Sequence, residues 1–234
     1  RTQFHTGDDN TMKLDNVYFI TGTAYAGKST LVKNLAAQRS GIACGENYHD
    51  ALVSGLDSRT FPCLTYTRDL TDWRAFIRRT PGEYAAWVEG CNRECAVLEQ
   101  EILARLSQQG RPVFVDTNIP LDTLHAISDP AHVLVMLADP AISVSRFFDR
   151  PDREKQFLYR LLMQEPDPAR AMDNFRACLR RINSPEQYDR FLHAGFPVIL
   201  RDEARSPAKT VRLAEELWGL PPSVPAGSAP RPGE

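Results

Sequence analysis

The feature that most constrains the fold is a junction near the N-terminus between a short apolar run and an amphipathic segment. The run VYFIT at residues 17–21 has the β-branched and aromatic content of a buried strand. The glycine-rich segment GTAYAGKS follows directly, and Leu31, Val32 and Leu35 then recur at helical spacing. This order predicts a strand, a tight turn and a helix. The turn matches the pattern G-x-x-x-x-G-K-[ST] at every fixed position.

The loop itself predicts phosphate binding. Its glycines allow backbone N–H groups to turn inward, and the helix that follows adds the positive end of its dipole. Lys28 is expected to project into a solvent-filled loop and reach the β and γ phosphates, while the Ser29 hydroxyl binds Mg²⁺. ATP and Mg²⁺ are therefore the expected cofactors, and a glycine-rich turn without a ligand is the alternative. The predicted nucleotide-binding residues are Gly22, Thr23, Ala24, Tyr25, Ala26, Gly27, Lys28, Ser29 and Thr30.

Over the rest of the chain, short apolar runs alternate with helical periods. Strands are predicted at residues 17–21, 41–44, 112–116, 132–138 and 196–201. Helix starts are predicted at Thr80, Ser184 and Ser206, each followed by a proline. This order predicts an α/β fold with a five-stranded parallel sheet covered by helices on both faces. Ligands of such sheets bind beyond the carboxyl ends of the strands, so functional residues are expected there.

Carboxylates follow two of these strands. Asp116 ends the strand at residues 112–116, where it is expected to act on the hydrated Mg²⁺, or alternatively to cap a helix or a turn. Glu46 and Asp50 follow the strand at residues 41–44, where an acceptor hydroxyl would approach the γ-phosphate. Glu46 is the first choice for the group that orients or deprotonates this hydroxyl, and Asp50 is the second. The alternative for either is to cap the next helix.

A long connection separates the second and third predicted strands. Residues 50–110 exceed the length of a minimal crossover and are predicted to form an acceptor-binding insertion. Its arginines could clamp an anionic acceptor and its aromatic rings could stack on a ring of the acceptor. Trp87, however, fits better in the apolar stripe of the helix that is predicted to start at Thr80. The residues concerned are Tyr66, Arg68, Trp73, Arg74, Arg78, Arg79, Trp87 and Arg93.

These features in this order resemble the P-loop phosphotransferases of the nucleoside monophosphate kinase and shikimate kinase group. Within it, GENYH at residues 45–49 is similar to the G-D-x-L-H of gluconate kinases, with Glu46 in place of the aspartate, and the loop resembles that of chloramphenicol phosphotransferase. The similarity covers roughly residues 17–217 in architecture, and the loop is its one specific motif. It implies an ATP-dependent kinase of a small molecule, with Glu46 as the catalytic or orienting carboxylate.

The resemblance also implies a lid after the fourth strand. Kinases of this group close such a lid on the phosphates through arginines, whose permanent charge and planar fork suit phosphate oxygens. The lid is predicted at residues 146–165, on a helix that carries Arg146 and Arg150 four positions apart as the phosphate contacts. A solvated helix face with local acidic partners is the alternative.

Composition restricts the partners. Lysine and arginine number 28 against 30 acidic residues, so bulk charge does not favour a nucleic acid or a membrane, and a small-molecule acceptor is the expected partner. The 5 cysteines are an odd set that favours reduced thiols and a cytoplasmic protein. Cys91 and Cys95, four apart on a predicted helix, are interpreted as core packing instead of half a metal site.

The predicted organisation is a single kinase domain between two ends without a fold. Residues 1–11 are expected to be a leader before Met12, residues 12–220 the domain, and residues 221–234 a proline-rich tail. A nucleotide-dependent switch is the alternative function, and a toxin-like kinase of a nucleotide sugar would share the same chemistry. The acceptor, the preference for ATP or GTP and the oligomeric state stay open.

Overall fold

The computed structural model describes residues 14–149 and 151–223. Its strands are β1 (Val17–Gly22), β2 (Ile42–Cys44), β3 (Val113–Asp116), β4 (Val133–Leu137) and β5 (Val198–Leu200). They form one 5-stranded sheet in the order β2-β3-β1-β4-β5, and each neighbouring pair is parallel. The predicted α/β fold with a parallel sheet is thus confirmed, with small differences at the strand ends. The predicted leader, Met12 and residues 224–234 lie outside the described residues.

Helices connect the strands throughout the described part of the chain. They are α1 (Lys28–Gln38), α2 (Asp50–Val53), α3 (Tyr66–Asp69), α4 (Arg74–Ile77), α5 (Pro81–Ser107), α6 (Leu121–Ile127), α7 (Pro140–Ser145), α8 (Arg153–Met163), α9 (Pro168–Ile182), α10 (Pro185–Leu192) and α11 (Pro207–Leu217). The Thr80, Ser184 and Ser206 side chains accept hydrogen bonds from the first turns of α5, α10 and α11, as predicted. Among these helices, none has the length and apolar content needed to cross a membrane.

The central strand, β1, supplies side chains to two cores on opposite faces of the sheet. Phe19 points to the face covered by α5, α6 and α10, where it packs in one cluster with Leu103 and Leu124. Ile20 points to the face covered by α1 and α11, in a cluster that includes Trp218. Strands buried on both faces need continuous apolar sequence, which explains the run at the start of the chain.

A third apolar cluster, the helical cluster, is formed by helices without the sheet. Phe76 of α4 and Tyr84 in the first half of α5 pack there with Leu162 of α8 and Phe175 of α9. The predicted insertion therefore shares a core with α8 and α9. An ion pair also links the insertion to the segment between α8 and α9, because the Arg78 guanidinium lies 2.7 Å from the Glu165 carboxylate.

The prediction of one helix carrying Arg146 and Arg150 is wrong. Helix α7 ends at Ser145, and Arg146 is its C-terminal cap. Proline cannot continue a helix without losing a hydrogen bond, and Pro151 lies directly before the Asp152 side chain that caps α8. Arg150 itself lies outside the described residues.

The sheet-facing half of α5 provides a test of the core. Leu103 is 0% exposed whereas Val97, on the same helix, is 56% exposed. We expect Leu103→Ala to lower the free energy of unfolding by about 2–5 kcal/mol because it leaves a cavity under the sheet. Val97→Ala should change it by no more than about 0.5 kcal/mol. Urea denaturation of both variants measures the difference, and equal losses would contradict this packing.

Candidate functional site

The loop after β1 is fixed to β4 by close backbone contacts. Gly22 has φ 125°, and a Cβ at this position would overlap the carbonyl oxygen of Met136, so only glycine fits. One residue later, the Thr23 amide donates to the Met136 oxygen at 3.0 Å. The Thr23 hydroxyl accepts from the Ala138 amide at 2.7 Å. The start of the loop is therefore rigidly held at the carboxyl end of the sheet.

The end of the loop leads into α1 without a side-chain cap. Gly27 is the N-cap of α1, in the left-handed region with φ 96°, and Tyr25 also has a positive φ of 63°. A glycine N-cap supplies no oxygen to the first N–H groups of the helix. Together with the positive end of the helix dipole, these groups favour an anion at this position.

Lys28, Ser29 and Asp116 meet at the base of the loop. The Ser29 hydroxyl lies 2.7 Å from Asp116 Oδ2, and Lys28 Nζ lies 3.9 Å from Asp116 Oδ1. Lys28 Nζ also donates to the Thr23 carbonyl at 3.0 Å. Lys28 is buried, so the expectation that it projects into solvent is wrong: its charge lies between the loop and the end of β3. The Asp116 side chain contacts Ser29 and Lys28, and its role at Mg²⁺ stays a prediction.

Asp116 is a buried carboxylate with one oxygen that lacks a hydrogen bond. Oδ1 has no hydrogen-bond partner among the described residues. Burial raises the pKa of this carboxyl, the Lys28 charge and the Ser29 hydroxyl oppose that change, and the charges of Glu46 and Glu99 add to it. A carboxylate oxygen that accepts no hydrogen bond, beside a serine hydroxyl, fits Mg²⁺, which binds hard oxygen ligands.

The two candidate bases face different neighbours. Glu46 is exposed just after β2, at the edge of the parallel sheet where β3 ends in Asp116, and its charge raises the pKa of the Asp116 carboxyl. Asp50 begins α2, and its Oδ1 lies 3.7 Å from His49 Nε2. Helix α2 has no side-chain cap, so neither carboxylate serves as one. The role of Glu46 stays a prediction.

Arg146 approaches the loop through its backbone. Its carbonyl accepts from the Tyr25 hydroxyl at 2.7 Å, and the side chain is exposed. No ion pair of the Arg146 side chain occurs within residues 14–149 and 151–223. Its lid role stays a prediction. In the predicted lid region, Lys155 pairs with Asp152 at 3.0 Å, as the solvated-face alternative expects.

Arg201 was not singled out from the sequence, although it follows β5 directly. Its guanidinium donates to the Tyr25 carbonyl and pairs with Glu203 at 2.9 Å. It also lines a cavity of about 280 Å³ between the loop, α1 and the start of α11, together with Gly27 and Arg205. The rule that ligands bind beyond strand ends applied to this position as well. A larger cavity of about 450 Å³ lies on the α10 side of Arg201, away from the loop glycines.

The arginines and aromatic rings of the insertion contact acidic side chains, backbone carbonyls or one another. The Arg79 guanidinium lies over the Tyr66 ring, 3.9 Å from its centroid, and Arg68 donates to the Val53 carbonyl at 2.9 Å. Trp87 packs against the helical cluster and donates to the Cys63 carbonyl at 3.0 Å, which agrees with its predicted core position. These contacts build the insertion and identify no acceptor.

A buried polar cluster lies behind the segment that follows β2. His49 Nδ1 is 2.9 Å from Glu99 Oε1, and His49 Nε2 is 3.1 Å from Cys95 Sγ. The Thr117 hydroxyl donates to Glu99 Oε2 at 2.8 Å. Cys95 is buried as predicted, but it contacts a histidine and is more than apolar filling. Its position 46 residues from His49 in the sequence hid this contact.

Comparison of the chain with protein-family models, curated proteins and solved structures finds no match.

The buried Asp116 generates a pH-dependent prediction. A carboxyl with a raised folded-state pKa binds its proton more tightly when folded. Its stabilising contribution is therefore present below the ordinary value of 3.8 and lost as the pH rises through the raised pKa. We expect Asp116→Asn, in EDTA and without ligands, to raise the melting temperature at pH 7 and to flatten its pH dependence. The exposed Asp173→Asn on α9 is the control. A lower melting temperature for Asp116→Asn at pH 7 would contradict the burial argument.

Proposed function

We propose that the protein is a P-loop phosphotransferase that uses ATP and Mg²⁺ to phosphorylate a small molecule. The observation that carries this proposal is the convergence of Lys28 and Ser29 on Asp116, at the base of a loop that matches the phosphate-binding pattern. The parallel sheet supports it, because the loop, Asp116 and Glu46 all follow carboxyl ends of strands.

The loop and α1 would bind the phosphates. The first amides of α1 lack a side-chain cap, and the Lys28 ammonium contacts the Thr23 carbonyl of the same loop, so both can stabilise negative charge on a transferring phosphoryl group. Ser29 and Asp116 would hold Mg²⁺, which would neutralise negative charge on the phosphates. Lys28 has to exchange its contact with the Thr23 carbonyl for a phosphate oxygen.

The cavity beside the loop would hold the nucleoside. It opens next to Gly27 and Thr30, where the phosphate chain would leave the loop, and Arg201 and Arg205 border it on the other side. Its volume of about 280 Å³ is near the lower end of the range for small-molecule sites.

The acceptor would approach from the β2 side. Glu46 is exposed there, after β2 and at the same edge of the sheet as Asp116, so an acceptor hydroxyl hydrogen-bonded to Glu46 would face the proposed Mg²⁺ site. A carboxylate in this place can orient the hydroxyl and accept its proton as the phosphoryl group transfers. The exposed Arg146 side chain is the proposed lid contact on the opposite side of the loop.

Lys28 gives the most direct test of nucleotide chemistry. We expect Lys28→Ala to reduce ATP turnover by about 10²–10³-fold, because a positioned charge at the phosphates is removed. Lys33→Ala is the matched control, since Lys33 lies on the same helix and is exposed. Turnover is measured as ADP release with Mg²⁺ and with EDTA. Full turnover in Lys28→Ala would contradict the proposed phosphate site.

Glu46 separates a kinase from a nucleotide-dependent switch. We expect Glu46→Gln to lower acceptor phosphorylation by about 10²-fold or more, because the proton acceptor is lost. Binding of a non-hydrolysable ATP analogue should hardly change. A ³¹P-detected screen of small-molecule acceptors supplies the substrate, and Asp50→Asn is the matched variant. Loss in Asp50→Asn alone would move the role to Asp50, and loss in neither variant would favour the switch.

A further inference from the structure

We propose that His49 and Cys95 form a binding site for Zn²⁺, separate from the proposed nucleotide and Mg²⁺ site. The ligand atoms of His49, Cys95 and Glu99 lie within 4.8 Å of one another, and all three residues are buried. A neutral imidazole nitrogen and a cysteine sulfur are the ligands that zinc prefers in proteins, whereas Mg²⁺ prefers oxygen. The proposal does not depend on the kinase assignment.

The hydrogen bonds around His49 select the tautomer that binds metals. The Thr117 hydroxyl donates to Glu99 Oε2, which leaves Glu99 Oε1 to accept from the Nδ1–H of His49. The lone pair of His49 Nε2 then points at Cys95 Sγ, 3.1 Å away. A carboxylate on the far nitrogen is the usual partner of a zinc-binding histidine, because it fixes the ring and raises its basicity. Glu99 is thus a positioning residue in this site.

The spacing of the ligand atoms fits zinc after a small movement. Zn–N bonds of about 2.0 Å and Zn–S bonds of about 2.3 Å at a tetrahedral angle place nitrogen and sulfur roughly 3.5 Å apart. The Nε2 to Sγ distance of 3.1 Å has to open by only a few tenths of an ångström. Asp50 Oδ1, 3.7 Å from Nε2 on a side chain that is 71% exposed, can rotate in as the third ligand. A water molecule would supply the fourth ligand.

Binding exchanges the thiol proton for the metal. The Cys95 S–H bond breaks, its proton leaves to water, and the thiolate forms a bond to Zn²⁺, with no change in oxidation state. The site would fasten the segment after β2, which carries His49 and Asp50, to α5, which carries Cys95 and Glu99. Zinc would therefore stabilise the segment that also carries Glu46, the residue proposed to orient the acceptor hydroxyl.

The test uses the full chain after removal of metals with EDTA and then of the EDTA. Calorimetric titration with Zn²⁺ should show one equivalent bound, and Co²⁺ should give the charge-transfer absorption of a thiolate-bound metal. Cys95→Ala and His49→Gln should abolish both signals, while Cys178→Ser keeps them, because Cys178 lies in the separate helical cluster. Glu99→Gln should weaken binding by about 10–100-fold.

Several outcomes would overturn this site. One is a wild-type protein that binds no zinc equivalent, and another is an undiminished thiolate absorption in Cys95→Ala. Asp50→Ala should weaken zinc binding without altering the melting temperature of the metal-free protein, since its side chain is exposed. Unchanged zinc affinity in that variant would remove Asp50 from the ligand set. The zinc titration contains no nucleotide, so a negative result would not count against the proposed phosphate site. A negative result for Lys28→Ala turnover would likewise not count against the zinc site.

Discussion

The pairing of β1 with a strand on each side is the constraint on which the rest of the structure depends. β1 is hydrogen-bonded to β3 and to β4, so the ends of all three strands are fixed at one edge of the sheet. Ile20 pairs with Asp116, and Gly22 pairs with Met136 in the same ladders. The loop therefore starts where an acidic side chain and a close backbone neighbour are already in place. A register shift of one residue would bury the wrong faces and separate Lys28 from Asp116.

Much of the sheet could be predicted from the sequence because each strand is a short apolar run between clear breaks. Capped helices such as α5 were equally visible, since Thr80 and Glu83 form a capping box three residues apart. The helical cluster could not be predicted from the sequence. Its members come from α4, α5, α8 and α9, and only long-range packing joins them. The predicted helix through Arg146 was wrong because the four-residue spacing of charged residues does not mark where a helix ends, and α7 ends at Ser145.

The predicted site shows the same difference between contacts that follow from local sequence signals and contacts that depend on long-range packing. Lys28, Ser29 and Asp116 could be brought together because parallel strands place their carboxyl ends at one edge, a rule that needs no side-chain detail. Burial of Lys28 could not be foreseen, since it depends on the Thr23 carbonyl and on the end of β3. The contact between His49 and Cys95 joins two elements whose distance in the sequence carries no periodic signal.

Helix α5 belongs to two cores, and this limits how the molecule can deform. Its 27 residues span about 40 Å, with Tyr84 in the helical cluster and Leu103 under the sheet. Because α5 packs in both cores, it couples the helical cluster to the sheet. The helical cluster cannot rotate against the sheet unless α5 bends or one half loses its contacts. A force applied to α4, α8 or α9 is therefore carried along α5 to the underside of β1 and β3, below the loop.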